Sequence, residues 1–160
     1  MMMQQKAEEP LGHELFREAW ELRTENPRSA LVLGIAAAEV GFKQCVGTLV
    51  PDAKWLVDNV PSPLLERMLR EYLPQLPARK TIKGRVLPLP EGWLKILKKG
   101  VTIRNDIVHG NTATLTRDNL RDILETIREL LYLLDIYCGH VWAWDRLGGE
   151  LQRELLAMTQ

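Results

Sequence analysis

The chain has 160 residues, enough for one domain to bury a core without help from disulfides or a structural metal. Apolar residues make up 46% and charged residues 26%, which excludes a disordered tail and fits an ordinary globular protein. Lys and Arg number 21 and Asp and Glu 21, so the chain is not a generic nucleic-acid coat held by bulk positive charge.

Residues 1–10 hold Gln4, Gln5, Lys6, Glu8 and Glu9 and no apolar segment, so they read as a flexible end and not as a secretory signal. A single helical domain is expected over residues 11–160. From 11 to 24, Leu11, Leu15, Phe16, Ala19, Trp20 and Leu22 recur at helical spacing among Glu14, Arg17, Glu18, Glu21 and Arg23, which predicts a first amphipathic helix. Asn26 and Pro27 supply a cap and a first-turn proline for a second helix through Ala30, Leu33, Ala37 and Val40 to about Leu49, stopped by Pro51. This second helix is apolar nearly all round. It should therefore be central, and Glu39 within it needs a partner if buried. Glu39, Lys43 and Gln44 interrupt the apolar run and make it a poor membrane span, so no membrane association is expected.

A short helix is expected over 52–60 and another from Ser62 and Pro63 through Leu64, Leu65, Met68, Leu69 and Tyr72, ending at Pro74. Residues 74–90 carry Pro74, Pro77, Pro88 and Pro90 and read as a long loop, with room for a short extended stretch at Leu87 and Leu89 but not for a central strand. Helical spacing returns from Glu91 to Val108 and is ended by Gly110. The last long helix begins near Thr116, carries Asp118 in its first turn, and runs through Leu120, Ile123, Leu124, Ile127, Leu131 and Leu134 to Tyr137. Val141, Trp142, Trp144 and Leu147 follow, the tryptophans read as core and interface anchors, then Gly148, Gly149 and a short final segment. The fold class is all-α, a bundle of about five helices.

Cys45 and Cys138 lie far apart with no paired spacing, the usage of a reduced, cytoplasmic protein with two small core residues. Neither they nor His13 and His140 form a ligand spacing, so no metal and no cofactor is expected.

The segment Arg104-Asn105-Asp106-Ile107-Val108-His109-Gly110 ends the helix that starts at Glu91. Arg104 follows Leu97 and Val101 at spacings that put it on the apolar face, where a guanidinium must find an anion or a second chain. His109 lies five residues on, about 140° further round an ideal helix. The two converge only if the chain turns at Gly110 or if two copies of the helix meet. A purely structural reading is also open, in which Gly110 caps the helix and Arg104 pairs with an acidic residue such as Glu39.

This arginine, the polar residue after it, and the histidine that closes the segment resemble the RxxxxH signature of HEPN domains, and the helix order from Leu11 to Trp144 fits that family. The resemblance implies a homodimer whose cleft is lined by Arg104 and His109 of both copies, and metal-independent cleavage of RNA. It casts His109 as general acid or base, Arg104 as the phosphate holder and Asn105 as the residue orienting one of them, with a 2′,3′-cyclic phosphate as product. It further implies a toxin or defence role, with an antitoxin or nucleotidyltransferase-type partner protein. Some such toxins carry a tyrosine two residues after the histidine for that partner to modify; here the position is Asn111.

Between Arg79 and Arg104 stand eight basic residues, Arg79, Lys80, Lys83, Arg85, Lys95, Lys98, Lys99 and Arg104, against Glu91 alone. In a chain of zero net charge this concentrates positive charge just before the motif, and Lys95, Lys98 and Lys99 are candidate RNA-backbone contacts or, equally, a solvated face.

Overall fold

In the computed structural model, which describes residues 9–82 and 84–157, each long amphipathic stretch is a helix: α1 (Leu11–Leu22), α2 (Pro27–Leu49), α5 (Glu91–Val108) and α6 (Arg117–Tyr137). The described residues are predominantly helical and hold no strand, so the all-α class stands. There are more helices than the expected five. Between α2 and α5 lie α3 (Lys54–Asn59) and α4 (Leu65–Arg67), and α7 (Gly149–Ala157) closes the described chain. Most of the expected flexible end falls outside the described residues.

Local chemistry explains where the helices begin. Pro27 occupies the first turn of α2, as its fixed φ and missing N–H suit, but the Asn26 side chain makes no capping bond. Thr116 does cap α6: its hydroxyl oxygen accepts the Asn119 N–H at 3.1 Å. The helix expected to end at Pro74 instead starts later, at Leu65. It widens into a π turn over Met68–Tyr72 and tightens into a 3-10 turn, Leu73–Gln75, that contains Pro74. A proline early in a short 3-10 turn loses no hydrogen bond, so it does not stop the chain there.

The apolar α2 is central, packed against α1, α5 and α6, with Ala30, Leu31, Ile35, Ala38, Phe42 and Cys45 among its buried residues. By length and composition it is also the one described helix long and apolar enough to cross a membrane; half of the relevant stretch is buried inside this fold. α1 runs back along α2, with Gly12 opposite Ala37 and Gly41, and Ala19 near Gly34. On another side α2 faces α6: Gly34 abuts Leu124 and Gly41 abuts Leu131, so these two helices run in the same direction. Parallel neighbours need a long connection, which everything from Pro51 to Thr116 provides.

The α1–α2 approach depends on the absence of side chains. A Cβ on Gly12 would lie 3.0 Å from the Gly41 Cα and 3.3 Å from the Ala37 carbonyl oxygen, both backbone atoms that cannot rotate away. Gly12→Leu is therefore expected to prise α1 from α2 and cost about 1–3 kcal/mol, read as a lower urea midpoint.

Residues 76–90 form no extended element at Leu87 and Leu89; a single bridge pairs Ile82 with Arg85. The segment is a strap across the end of α6. The Arg79 N–H donates to the Tyr137 carbonyl at 2.8 Å and the Leu87 N–H to the Tyr137 hydroxyl oxygen at 3.2 Å, while Leu76, Ile82, Leu87 and Leu89 are buried. Of the two late tryptophans, Trp144 packs against the core and Trp142 stays exposed, edge-on to Tyr132.

Candidate functional site

The last turns of α5 carry the motif. Leu97, Val101 and Ile103 are buried, which fixes the rotation of the helix and turns Arg104 toward α2. There its Nη2 donates to Glu39 Oε1 at 3.2 Å, and its Nε donates to Asn105 Oδ1 at 3.0 Å. The ion pair is half-buried, the side chains of Arg104 and Glu39 being 22% and 31% exposed. Glu39 thus has the partner that an acid in an apolar helix requires, and Arg104 is oriented from two sides. A guanidinium has five N–H groups. Among the described residues these two bonds leave three of them for another acceptor.

His109 is the C-cap of α5. Its backbone N–H donates to the Asn105 carbonyl at 2.9 Å, and Gly110, at φ +72°, turns the chain away through the left-handed region that glycine adopts without strain. The imidazole is exposed. Among the described residues the structure joins Asn105 to Arg104 by a side-chain hydrogen bond, and no side-chain hydrogen bond joins the imidazole to either within one chain.

Lys95 and Lys98 project from the exposed face of α5, while Lys99 Nζ donates to Asn119 Oδ1 at 3.1 Å at the start of α6. Glu91, the one acid of the basic run, is held by Arg70 of the π turn, whose hydrogen bond keeps the Glu91 carboxyl below the usual carboxylate range. Glu91 thus interacts chiefly with Arg70 and less strongly with Lys95.

A second constellation was not legible in the sequence. His13 of α1 and Asp135 of α6 meet at 2.7 Å between Nε2 and Oδ2, with their side chains only 14% and 17% exposed. The Tyr132 ring stands 5.0 Å from the imidazole. The pair lines a cavity of about 690 Å³ with Gln44, Cys45, Cys138 and His140. Sequence spacing gave no signal for it, since its members come from three elements that meet only through the packing of α1 and α6 on α2. Among the described residues no group of three or more His, Cys, Asp or Glu is placed to hold a metal ion.

Comparison with protein-family models, with curated proteins and with solved structures finds no match to this chain.

Proposed function

We propose that the chain is a metal-independent endoribonuclease of the HEPN type, acting as a homodimer in the cytoplasm in a toxin or defence role. What carries the reading is the end of α5: an exposed histidine, and five residues before it an arginine held in place with donors to spare. Histidine titrates near neutral pH and can take the proton from a ribose 2′-hydroxyl or return one to the leaving 5′-oxygen. Arginine offers a fork of donors to the phosphate oxygens as charge develops on them. In this scheme the 2′-oxygen forms the new bond to phosphorus, the 5′-oxygen leaves, and a 2′,3′-cyclic phosphate remains. Asn105 orients Arg104. His109 of one copy and Arg104 of the other complete each site, which suits an imidazole that has no hydrogen-bond partner among the described residues of its own chain. Lys95 and Lys98 draw in the RNA backbone. A partner antitoxin of the nucleotidyltransferase type would have to act elsewhere than at position 111, where Asn111 has no phenol to modify.

One observation favours a second reading, a catalytically silent HEPN scaffold that binds nucleotide, RNA or protein. Glu39 already occupies part of the Arg104 guanidinium, and its negative charge opposes an incoming phosphate.

The deciding experiment is RNA cleavage by purified protein in EDTA, with the native chain and His109→Ala side by side and the product ends assayed for cyclic phosphate. Activity lost in the variant, with helicity and oligomeric state unchanged, supports the ribonuclease. A native protein inert on a broad RNA panel leaves the scaffold.

A further inference from the structure

The strongest unassigned feature is the pair of thiols at the end of the bundle. Cys45, in the last turns of α2, and Cys138, the C-cap of α6, are 93 residues apart in sequence, yet their Sγ atoms lie 3.3 Å apart. We propose that Cys45 and Cys138 form a reversible intramolecular disulfide, made by exchange with a low-molecular-weight disulfide that enters through the cavity beside α1.

Three features support this. The sulfurs need to approach by only about 1.3 Å to reach bonding distance. The motion falls on a helix cap, where Gly139 (φ +103°) already turns the chain, and not on the middle of two helices. The two thiols are also unequal. Cys45 is buried, whereas Cys138 is half-buried, and both line the cavity of about 690 Å³ that His13 and Asp135 share.

The inequality sets the order of events. The hydrogen bond between Cys138 and Cys45, helped by the nearby Arg79 guanidinium, lowers Cys138 below an ordinary thiol against the opposing effects of burial and Asp135. The same hydrogen bond, with burial, pushes Cys45 up. Cys138, the half-buried and more accessible thiol, is therefore the nucleophile and the buried Cys45 the resolving thiol. The Cys138 thiolate attacks one sulfur of the small disulfide, forming a mixed disulfide and expelling a thiolate. That thiolate takes the proton from Cys45. The new Cys45 thiolate attacks the Cys138 sulfur, the bond to the small molecule breaks, and a second thiolate leaves to be protonated by solvent. Two protein thiols are oxidised, and one small disulfide is reduced to two thiols.

The chemistry is independent of any action on RNA. Its structural effect is to tie the end of α2 to the end of α6 and close a long loop of chain, which should raise Tm by roughly 5–15 °C.

The test uses the full chain under native conditions, incubated with oxidised glutathione, quenched in acid, alkylated and weighed. The expected product is a monomer lighter by two hydrogens, with no alkylated cysteine, a higher Tm, and full reversal by dithiothreitol. Cys45→Ser, which cannot resolve the mixed disulfide, should retain one glutathione on Cys138. Cys138→Ser should stay largely unmodified because Cys45 is shielded. Two alkylatable thiols after treatment, two separate glutathione adducts on the native protein, or a disulfide found only between chains would each overturn the proposal.

Discussion

RNA cleavage by the His109→Ala protein is expected to fall roughly 10²–10⁴-fold, the usual contribution of a positioned acid or base. Its stability should hardly change, since the imidazole is exposed and only the backbone N–H of His109 serves the helix end. Arg104→Ala should behave differently. It removes the donors proposed to hold the phosphate and also leaves Glu39 half-buried without its partner, so both cleavage and stability are expected to fall. Adding Glu39→Gln to that variant separates the two effects, because a neutral amide no longer needs the guanidinium. The double variant should recover most of the lost stability and none of the cleavage. Denaturation midpoints beside cleavage rates decide it, and recovery of both together would reduce Arg104 to a structural residue. Alone, Glu39→Gln should tighten RNA binding by removing the charge that competes for Arg104.

Tyr137→Ala is expected to cost about 3–5 kcal/mol, among the largest single losses the fold offers. The ring is fully buried at the end of α6, and its carbonyl and hydroxyl hold the strap at Arg79 and Leu87. Tyr137→Phe keeps the ring but strands the Leu87 N–H, for about 1–3 kcal/mol. The hydroxyl also makes stability depend on high pH. Burial pushes the Tyr137 phenol up to about 12, against the opposing pull of the Leu87 N–H. The folded protein thus holds the proton that the unfolded chain releases near 10, so this contribution is intact below pH 10 and is lost as pH rises toward 12. The loss amounts to about 2–3 kcal/mol. Thermal melts between those limits should show a steep fall in the native protein and a shallower one in Tyr137→Phe. An equal fall in both would contradict the assignment.

Local patterns in the sequence foretold the features that depend on one element at a time. The all-round apolarity of Pro27–Leu49 put it at the centre, and the placement of Arg104 on an apolar face, with Glu39 on an apolar helix, made their pairing one of the readings open from the sequence. Features that depend on how elements meet were not legible. Cys45 and Cys138 read as unrelated because nothing in their spacing tells that α2 and α6 run side by side in one direction. His13 and Asp135 stayed hidden for the same reason. The prolines argued against a central strand in residues 74–90, and none is found among the described residues there, but proline content says nothing of Tyr137, whose carbonyl and hydroxyl supply acceptors that order the segment. At Pro74 the helical stretch does close, within one residue, in a 3-10 turn that accommodates the proline.

The parallel pairing of α2 with α6 has a consequence for synthesis. The apolar flank that α6 covers is made early, and its cover comes last, 88 residues after the end of α2. At about 5–20 residues per second, the nascent chain carries that flank for roughly 4–18 seconds before α6 is complete. Helix nucleation is not limiting on this scale. Until Tyr137 is made, that flank is the apolar surface of the nascent chain most open to aggregation, although the finished bundle buries it.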